Sequence, residues 1–108
     1  MHPDFAAVGE REGPFDAVLM PIGAYDPRWF MSAVHMDPEE AVAAFAAVRS
    51  ANPAHACAMI AMHWGTFVLT DEPVDEPPRR VRAAWEKNQL DSGALWIMAP
   101  GETRTIPV

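Results

Sequence analysis

The sequence predicts an α/β fold in which strands and helices alternate in the order β-α-β-α-β. Two apolar runs, FDAVLMPI (residues 15–22) and ACAMIAM (residues 56–62), lack the alternation of apolar and polar residues. Such runs are typical of strands buried on both faces of a parallel sheet. Residues 94–99 form a third apolar segment of strand length. Because helical segments separate these runs, we expect parallel pairing with right-handed connections.

Start and stop signals delimit the helices between the predicted strands. In DPEEAVAAFAAVRS, Asp37 and Glu40 form a capping box, Pro38 suits the first helical position, and the helix runs to about Arg49. The run DEPPRRVRAAWEKNQL repeats the start signal and predicts a helix that ends near Leu90. A short helix is predicted over residues 4–11. The tail ETRTIPV is predicted to form an edge strand.

Composition and charge limit the partners and the cellular setting that the sequence predicts. The chain has 108 residues, of which 50% are hydrophobic, and a formal net charge of −7. This charge disfavours nucleic acid and anionic membrane surfaces as partners. The single cysteine, Cys57, excludes an intramolecular disulfide, so we expect a reducing, cytoplasmic setting. No apolar stretch reaches the roughly 18 residues that span a bilayer, so no transmembrane segment is expected.

The predicted sheet has one face that the helices do not cover. If the strands lie in sequence order, right-handed crossovers place both main helices on the same face and leave the other face apolar and bare. Two explanations remain open at this point. The strand order reverses and puts one helix on each face, or a second layer comes from outside this chain.

Histidines are the main candidates for chemistry, although none forms a local metal motif such as H-E-x-x-H. His63 directly follows the second predicted strand, where parallel sheets place their ligands, and its imidazole suits zinc or iron. The alternative is an imidazole that satisfies a hydrogen bond at the edge of the core. His35 lies in the predicted loop over residues 23–36 and either faces the same crevice or stands exposed at the helix start. His55 and His2 are predicted to lie on the surface and at the mobile terminus.

Charged residues in the predicted loops are less informative. Asp26 and Arg28, within YDPRWF, could bind a polar group near the strand end or pair with each other. Asp71 and Glu72 are predicted to belong to a solvated loop that leads into a helix. The sequence contains neither a glycine-rich phosphate loop nor a G-x-S-x-G elbow.

Four phrases follow one another along the chain: PFDAVLMPIGAYDPRWFM, HMDPEEAV, HWGTFVLTDEPVDEPP and APGET. Together they resemble the C-terminal half of the metallo-β-lactamase-fold hydrolases, in the branch that includes N-acyl phosphatidylethanolamine phospholipase D. The resemblance covers nearly the whole chain. It implies an αββα sandwich in which residues 1–108 form a partial domain, with a mostly parallel sheet and helices on one face.

The same resemblance implies a site of two metal ions, usually zinc, that activates water to attack a phosphodiester, ester or lactone. The histidine of HWGTF matches the final metal ligand of the family, which assigns that role to His63. The histidine of HMDPEEA matches an active-site position, so His35 is expected to handle substrate or a proton in catalysis. The segment IGAYDPRWFM is expected to line the substrate cleft, with Tyr25, Arg28 and Trp29 as contacts.

The chain departs from the family pattern at its start. The H-x-H-x-D-H motif, a further ligand histidine and the bridging aspartate of a G-D-[TS]-G segment are absent from the sequence. Stable zinc sites use three or four protein ligands, so a lone imidazole does not hold the metal. We therefore expect a hydrolase fragment that is inactive alone and that docks the missing half, or a second copy, on its apolar sheet face. The alternative is a non-catalytic remnant that binds a partner through that face.

Overall fold

The computed structural model describes residues 3–106, in which a three-stranded parallel sheet carries a layer of helices. The elements, in chain order, are α1 (Phe5–Glu12), β1 (Ala17–Pro21), α2 (Arg28–Met31), α3 (Pro38–Arg49), β2 (Ala58–Met62), α4 (Glu76–Lys87) and β3 (Leu95–Trp96), with a 3₁₀ turn at Ser92–Ala94. The predicted α/β class and the β-α-β-α-β order are confirmed. One parallel sheet with a layer of helices agrees with the partial sandwich that the resemblance implies.

The strands lie in sequence order, β1-β2-β3, and all pairs are parallel. Helix α3 packs against both α1 and α4, so these helices form one layer on one side of the sheet. The alternative in which the strand order reverses is therefore wrong for the part of the chain that the structure describes. The helices cover one face, as right-handed crossovers between strands in sequence order predict.

The covered face holds the hydrophobic core. Met20, Met59 and Ala61 project from the strands into a buried cluster with side chains of α3 and α4. Phe45 of α3 and Trp85 of α4 meet there, with ring centroids 5.3 Å apart. Burial of these apolar side chains is the main source of stability in this fold.

The opposite face is open. Leu19, Ile60 and Trp96 are neighbours in the sheet register and alternate with the core residues, so they point away from the helices. Leu19 is 56% exposed, and Met62, at the end of the same face, is 40% exposed. Arg104 of the tail lies over the ring of Trp96, with 5.4 Å between the guanidinium carbon and the ring centroid.

Several boundaries differ from the sequence-based expectations. The short helix α2 forms inside the segment predicted as a loop. Helix α4 ends before Leu90 because Gln89 adopts a positive φ of 56°, which a right-handed helix cannot continue. Strand β3 has only two residues, and the tail up to residue 106 contains no strand. The expectation for His2 lies outside the described residues. Within residues 3–106, no helix combines the length and the apolar character that crossing a bilayer requires.

Candidate active-site groove at the carboxyl edge of the sheet

Two histidines meet where the strands end. His63 directly follows β2 and is exposed, with a left-handed backbone conformation at φ 64°. His35 precedes the capping residue of α3 and is half-buried. Their rings stack with centroids 5.3 Å apart and planes inclined by 21°. The structure thus places both predicted site histidines in one cluster.

These histidines line an open groove with a volume of about 470 Å³. One wall comes from the segment after β1 and from α2, and the other comes from the loop after β2. The lining includes both imidazoles, two carboxylates and two large apolar side chains: His35, His63, Asp26, Asp71, Phe30 and Leu69. The groove therefore combines ionisable side chains with apolar surface, as small-molecule sites commonly do.

The backbone beside His63 is held at close range by the segment that follows β1. The Ile22 N–H donates to the Met62 carbonyl over 3.0 Å and extends the pairing of β1 with β2. A Cβ atom on Gly23 would lie 2.1 Å from the His63 carbonyl oxygen, so only glycine fits there. This contact explains locally why IGAY carries a glycine and why the His63 backbone has a defined position.

Arg28 braces the wall that carries His35. Its guanidinium donates to the backbone carbonyls of Tyr25 and His35 over 3.3 and 3.2 Å and forms an ion pair with Glu40. Asp37 lies 3.7 Å away on the same guanidinium. Arg28 therefore pairs with the capping box of α3, and its contacts are directed to the wall of the groove. A direct contact between Arg28 and substrate stays a prediction.

The other two predicted substrate contacts have opposite environments. Tyr25 has no exposed surface, and Arg80 lies over its ring at 4.6 Å. Burial, together with the nearby Glu76, raises the pKa of the Tyr25 hydroxyl well above its ordinary value. Tyr25 thus supports the segment from inside, and in this conformation a ligand cannot reach it. Trp29, by contrast, is 84% exposed and is available to a ligand.

Glu72 is a site residue that the sequence reasoning missed. Its carboxylate, predicted to be solvated, accepts hydrogen bonds from the backbone N–H groups of Ala24, Tyr25 and Asp26 at 2.9, 3.2 and 2.9 Å. The Thr70 hydroxyl donates to the same carboxylate. No local pattern announces this anchor, because its backbone partners lie 46 to 48 residues earlier in the chain.

Hydrogen bonds also set the ionisation of Glu72. Partial burial by itself raises the pKa of this carboxyl, whereas the donors Thr70, Asp26 and Ala24 lower it. The donors outweigh the burial, so the pKa of Glu72 lies below its ordinary value. The anchor is therefore a charged group, and charge-assisted hydrogen bonds are the stronger kind.

The remaining candidates lie away from the groove. His55 lies at the amino ends of the strands, where its Nε2 is 2.8 Å from the Asp16 carboxylate. It is exposed, as predicted. Cys57 is half-buried, and burial raises the pKa of its thiol, with partial compensation from Arg49. A raised pKa reduces the thiolate fraction, which agrees with a structural role for this cysteine.

The residues present do not by themselves fit a zinc centre. Between residues 3 and 106, no three His, Cys, Asp or Glu side chains are grouped closely enough to hold a metal ion. His63 is exposed and can offer one imidazole, but stable sites use three or four protein ligands. Metal binding to this chain alone is therefore not expected from its geometry.

Comparison with known proteins gives consistent relatives. A family model for the beta-lactamase superfamily domain matches residues 2–64. The chain is 36% identical over 103 residues to N-acyl-phosphatidylethanolamine-hydrolyzing phospholipase D 1 of Caenorhabditis elegans, an alignment that covers 86% of this chain and 27% of that protein. It is 43% identical over 98 residues to an uncharacterised protein of Mycobacterium tuberculosis, covering 91% of this chain and 24% of that protein.

A third relative is the mitochondrial N-acyl-phosphatidylethanolamine-hydrolyzing phospholipase D of Saccharomyces cerevisiae, 31% identical over 84 residues. That alignment covers 75% of this chain and 17% of the yeast protein. The chain thus spans about a quarter or less of the length of these relatives. The family match extends over more than half of the chain and includes β1, β2 and both groove histidines. The chain therefore belongs to the β-lactamase superfamily, in the metallo-β-lactamase-fold branch that contains the N-acyl-phosphatidylethanolamine-hydrolysing phospholipases D.

Proposed function

We propose that this chain forms one wall of the active site of a metal-dependent hydrolase that acts on ester or phosphodiester bonds. The observation that carries the proposal is the stacked pair of His35 and His63 in an open groove at the carboxyl edge of a parallel sheet. In a β-lactamase-superfamily domain, this is the edge at which the resemblance puts the metal-binding site.

Each site residue has a proposed role. His63 supplies one imidazole to a zinc site whose other ligands come from residues outside these 108. His35, beside it, contacts substrate or carries a proton during hydrolysis. Trp29 contributes exposed apolar surface to substrate binding, and Arg28 holds the His35 segment through its carbonyl contact. The names of two relatives suggest a phospholipid-like phosphodiester as the substrate class.

The open sheet face supports the partner that the proposal requires. Leu19, Ile60 and Met62 present apolar side chains on the side where a sandwich fold would place its second sheet. We propose that a segment with the H-x-H-x-D-H motif covers this face and completes the metal site. Under this proposal the chain alone is inactive. The proposed location of the complete enzyme is the cytoplasm.

The experiment measures zinc content and hydrolysis of bis(p-nitrophenyl) phosphate and p-nitrophenyl acetate. It compares the chain alone with the chain mixed with a polypeptide that carries the H-x-H-x-D-H motif. We expect metal and turnover only in the mixture. His63→Ala should reduce both to background, whereas the matched control His55→Ala should not change them, because His55 lies at the other edge of the sheet.

Two results would contradict this proposal. Stoichiometric zinc with turnover in the isolated chain would show that its own residues complete a site. Equal zinc content and turnover in the His63→Ala and His55→Ala mixtures would remove His63 from the metal site. The second candidate function, a non-catalytic module that binds a partner through the open face, predicts a stable complex that contains no zinc and has no hydrolytic activity.

A further inference from the structure

Glu72 connects the two walls of the groove through one carboxylate. Three consecutive backbone N–H groups, of Ala24, Tyr25 and Asp26, point at it, and the Thr70 hydroxyl adds a fourth donor. Ala24, Asp26 and Thr70 all line the groove that holds the histidines. Successive N–H groups in a turn form a concave site for an anion, and here a side chain of the same protein is that anion.

The anchored backbone needs this support. Ala24 has a positive φ of 63°, a conformation that disfavours residues with a Cβ atom. Ala24 and Tyr25 are buried, so water does not readily replace the carboxylate as an acceptor for their N–H groups. A second bond, from the Asp71 N–H to the Asp26 carbonyl over 3.0 Å, joins the same two segments.

The residues that flank the anchored 24–26 segment connect it to the histidine pair. Gly23, which contacts the His63 carbonyl, immediately precedes the three anchored residues. Arg28, which donates to the His35 carbonyl, follows them by two positions. The residues on either side of the segment held by Glu72 therefore contact the backbone carbonyls of both histidines, Gly23 that of His63 and Arg28 that of His35. Movement of this segment would change the position of one imidazole relative to the other.

We propose that Glu72 is a positioning residue for this active site: its carboxylate holds the 24–26 backbone and thereby sets the mutual placement of His35 and His63. The inference rests on the proposed function for its catalytic meaning, but the placement itself is a property of this chain. Within residues 3–106, Glu72 forms no hydrogen bond or ion pair with either histidine, and no covalent bond is made or broken at its carboxylate.

The test uses Glu72→Gln in the full chain, with Asp75→Asn as the control. Each variant replaces one carboxylate with an amide and removes one negative charge. Asp75 is close to Glu72 in the sequence, and its ion pair with Arg79 is exposed. Backbone amide hydrogen exchange at Ala24 and Asp26 reports the anchor, and NMR signals and nuclear Overhauser contacts of the His35 and His63 rings report their placement. If Glu72→Gln does not fold, Thr70→Val removes one donor and is measured in its place.

We expect exchange at Ala24 and Asp26 to accelerate by about tenfold or more in Glu72→Gln, with shifted ring signals and weaker contact between the histidines. Glu72→Asp should restore neither the slow exchange nor the ring signals fully, because the aspartate side chain is one methylene shorter. Unchanged exchange would overturn the anchor. Faster exchange with unchanged ring signals would overturn the positioning role and leave Glu72 as a support for the loop alone.

Activity in the completed mixture separates this inference from the proposed function. Glu72→Gln should lower kcat more than it changes KM, whereas Asp75→Asn should leave both unchanged. If the unmodified mixture has no hydrolytic activity, the proposed function fails, while exchange and ring contacts in the isolated chain still decide the placement. If the mixture is active and Glu72→Gln is equally active, the positioning role is wrong.

Discussion

The two faces of the sheet are built from neighbouring residues of the same strands, yet they have opposite environments. Met20 and Met59 are buried under α3 and α4, whereas Leu19 and Met62 are 56% and 40% exposed on the other side. Both faces are apolar, so the difference does not arise from residue type. It arises because, between residues 3 and 106, the main helices lie on one side of the sheet. The open face therefore has the composition of a core without the layer that would cover it.

The largest expected effect is a loss of folding stability when a side chain on the covered face is shortened. Met59→Ala should lower the free energy of unfolding by about 2–5 kcal/mol, because it removes a fully buried side chain and leaves a cavity. The matched variant Leu19→Ala, on the adjacent strand but 56% exposed, should cost under about 1 kcal/mol in the isolated chain. Urea unfolding of both variants measures the difference. Equal losses would mean that the open face is covered in solution.

An intermediate effect is expected at the edge where the two faces end. The pKa of Glu72 and the pKa of Glu40 both lie below the ordinary value of 4.5, although burial opposes the shift in each. Hydrogen bonds outweigh burial at Glu72, and at Glu40 the Asp37 N–H and the charge of Arg28 lower the pKa. The folded state therefore binds protons less readily than the unfolded state. This stabilisation is complete above about pH 4.5 and is lost as the pH falls through the lower folded values.

Thermal unfolding between pH 6 and pH 3 measures this loss as a fall in the unfolding temperature of the unmodified chain. The Glu72→Gln variant should start less stable at pH 6 and should lose less on acidification, whereas Asp75→Asn should follow the unmodified chain. A Glu72→Gln profile parallel to that of the unmodified chain would contradict the charged state of the anchor.

The smallest effect on folding is expected on the open face, with a large effect on assembly. Leu19→Glu should change the free energy of unfolding of the isolated chain by under about 1 kcal/mol and should reduce binding of an apolar dye. Association with the complementing segment should weaken by about tenfold or more, because a charge would be buried in the interface. Val8→Glu, on the exposed side of α1, is the control. Unchanged association would show that the partner does not use this face.

Much of the fold could be predicted because its signals are local. The capping box of Asp37 and Glu40 is present as expected, with each partner bonded to the other. The apolar runs predicted β1 and β2 to within two residues at each end. The length of β3 was less predictable, because the number of ladder bonds depends on where the neighbouring strand turns away and not on the composition of the segment.

The site could be predicted only in part, for the same reason. The position of His63 after an apolar strand, with the resemblance, pointed to the groove, and the structure brings His35 beside it. The roles of Arg28 and Glu72 were not visible, because their partners are distant in sequence or belong to the backbone. Backbone N–H and carbonyl groups are the same for all non-proline residues, so no residue pattern reports which of them a side chain will meet.

The sequence by itself determined the alternation of strands and helices, the apolar character of both sheet faces, and the family to which the chain belongs. Periodicity, capping and turn residues act over a few positions, so they can be seen in the order of residues. Only the tertiary structure decided that the strands lie in sequence order with one face open, that Tyr25 is buried, and that Glu72 anchors the backbone of residues 24–26. These features depend on which distant segments come into contact, and that follows from packing of the whole chain.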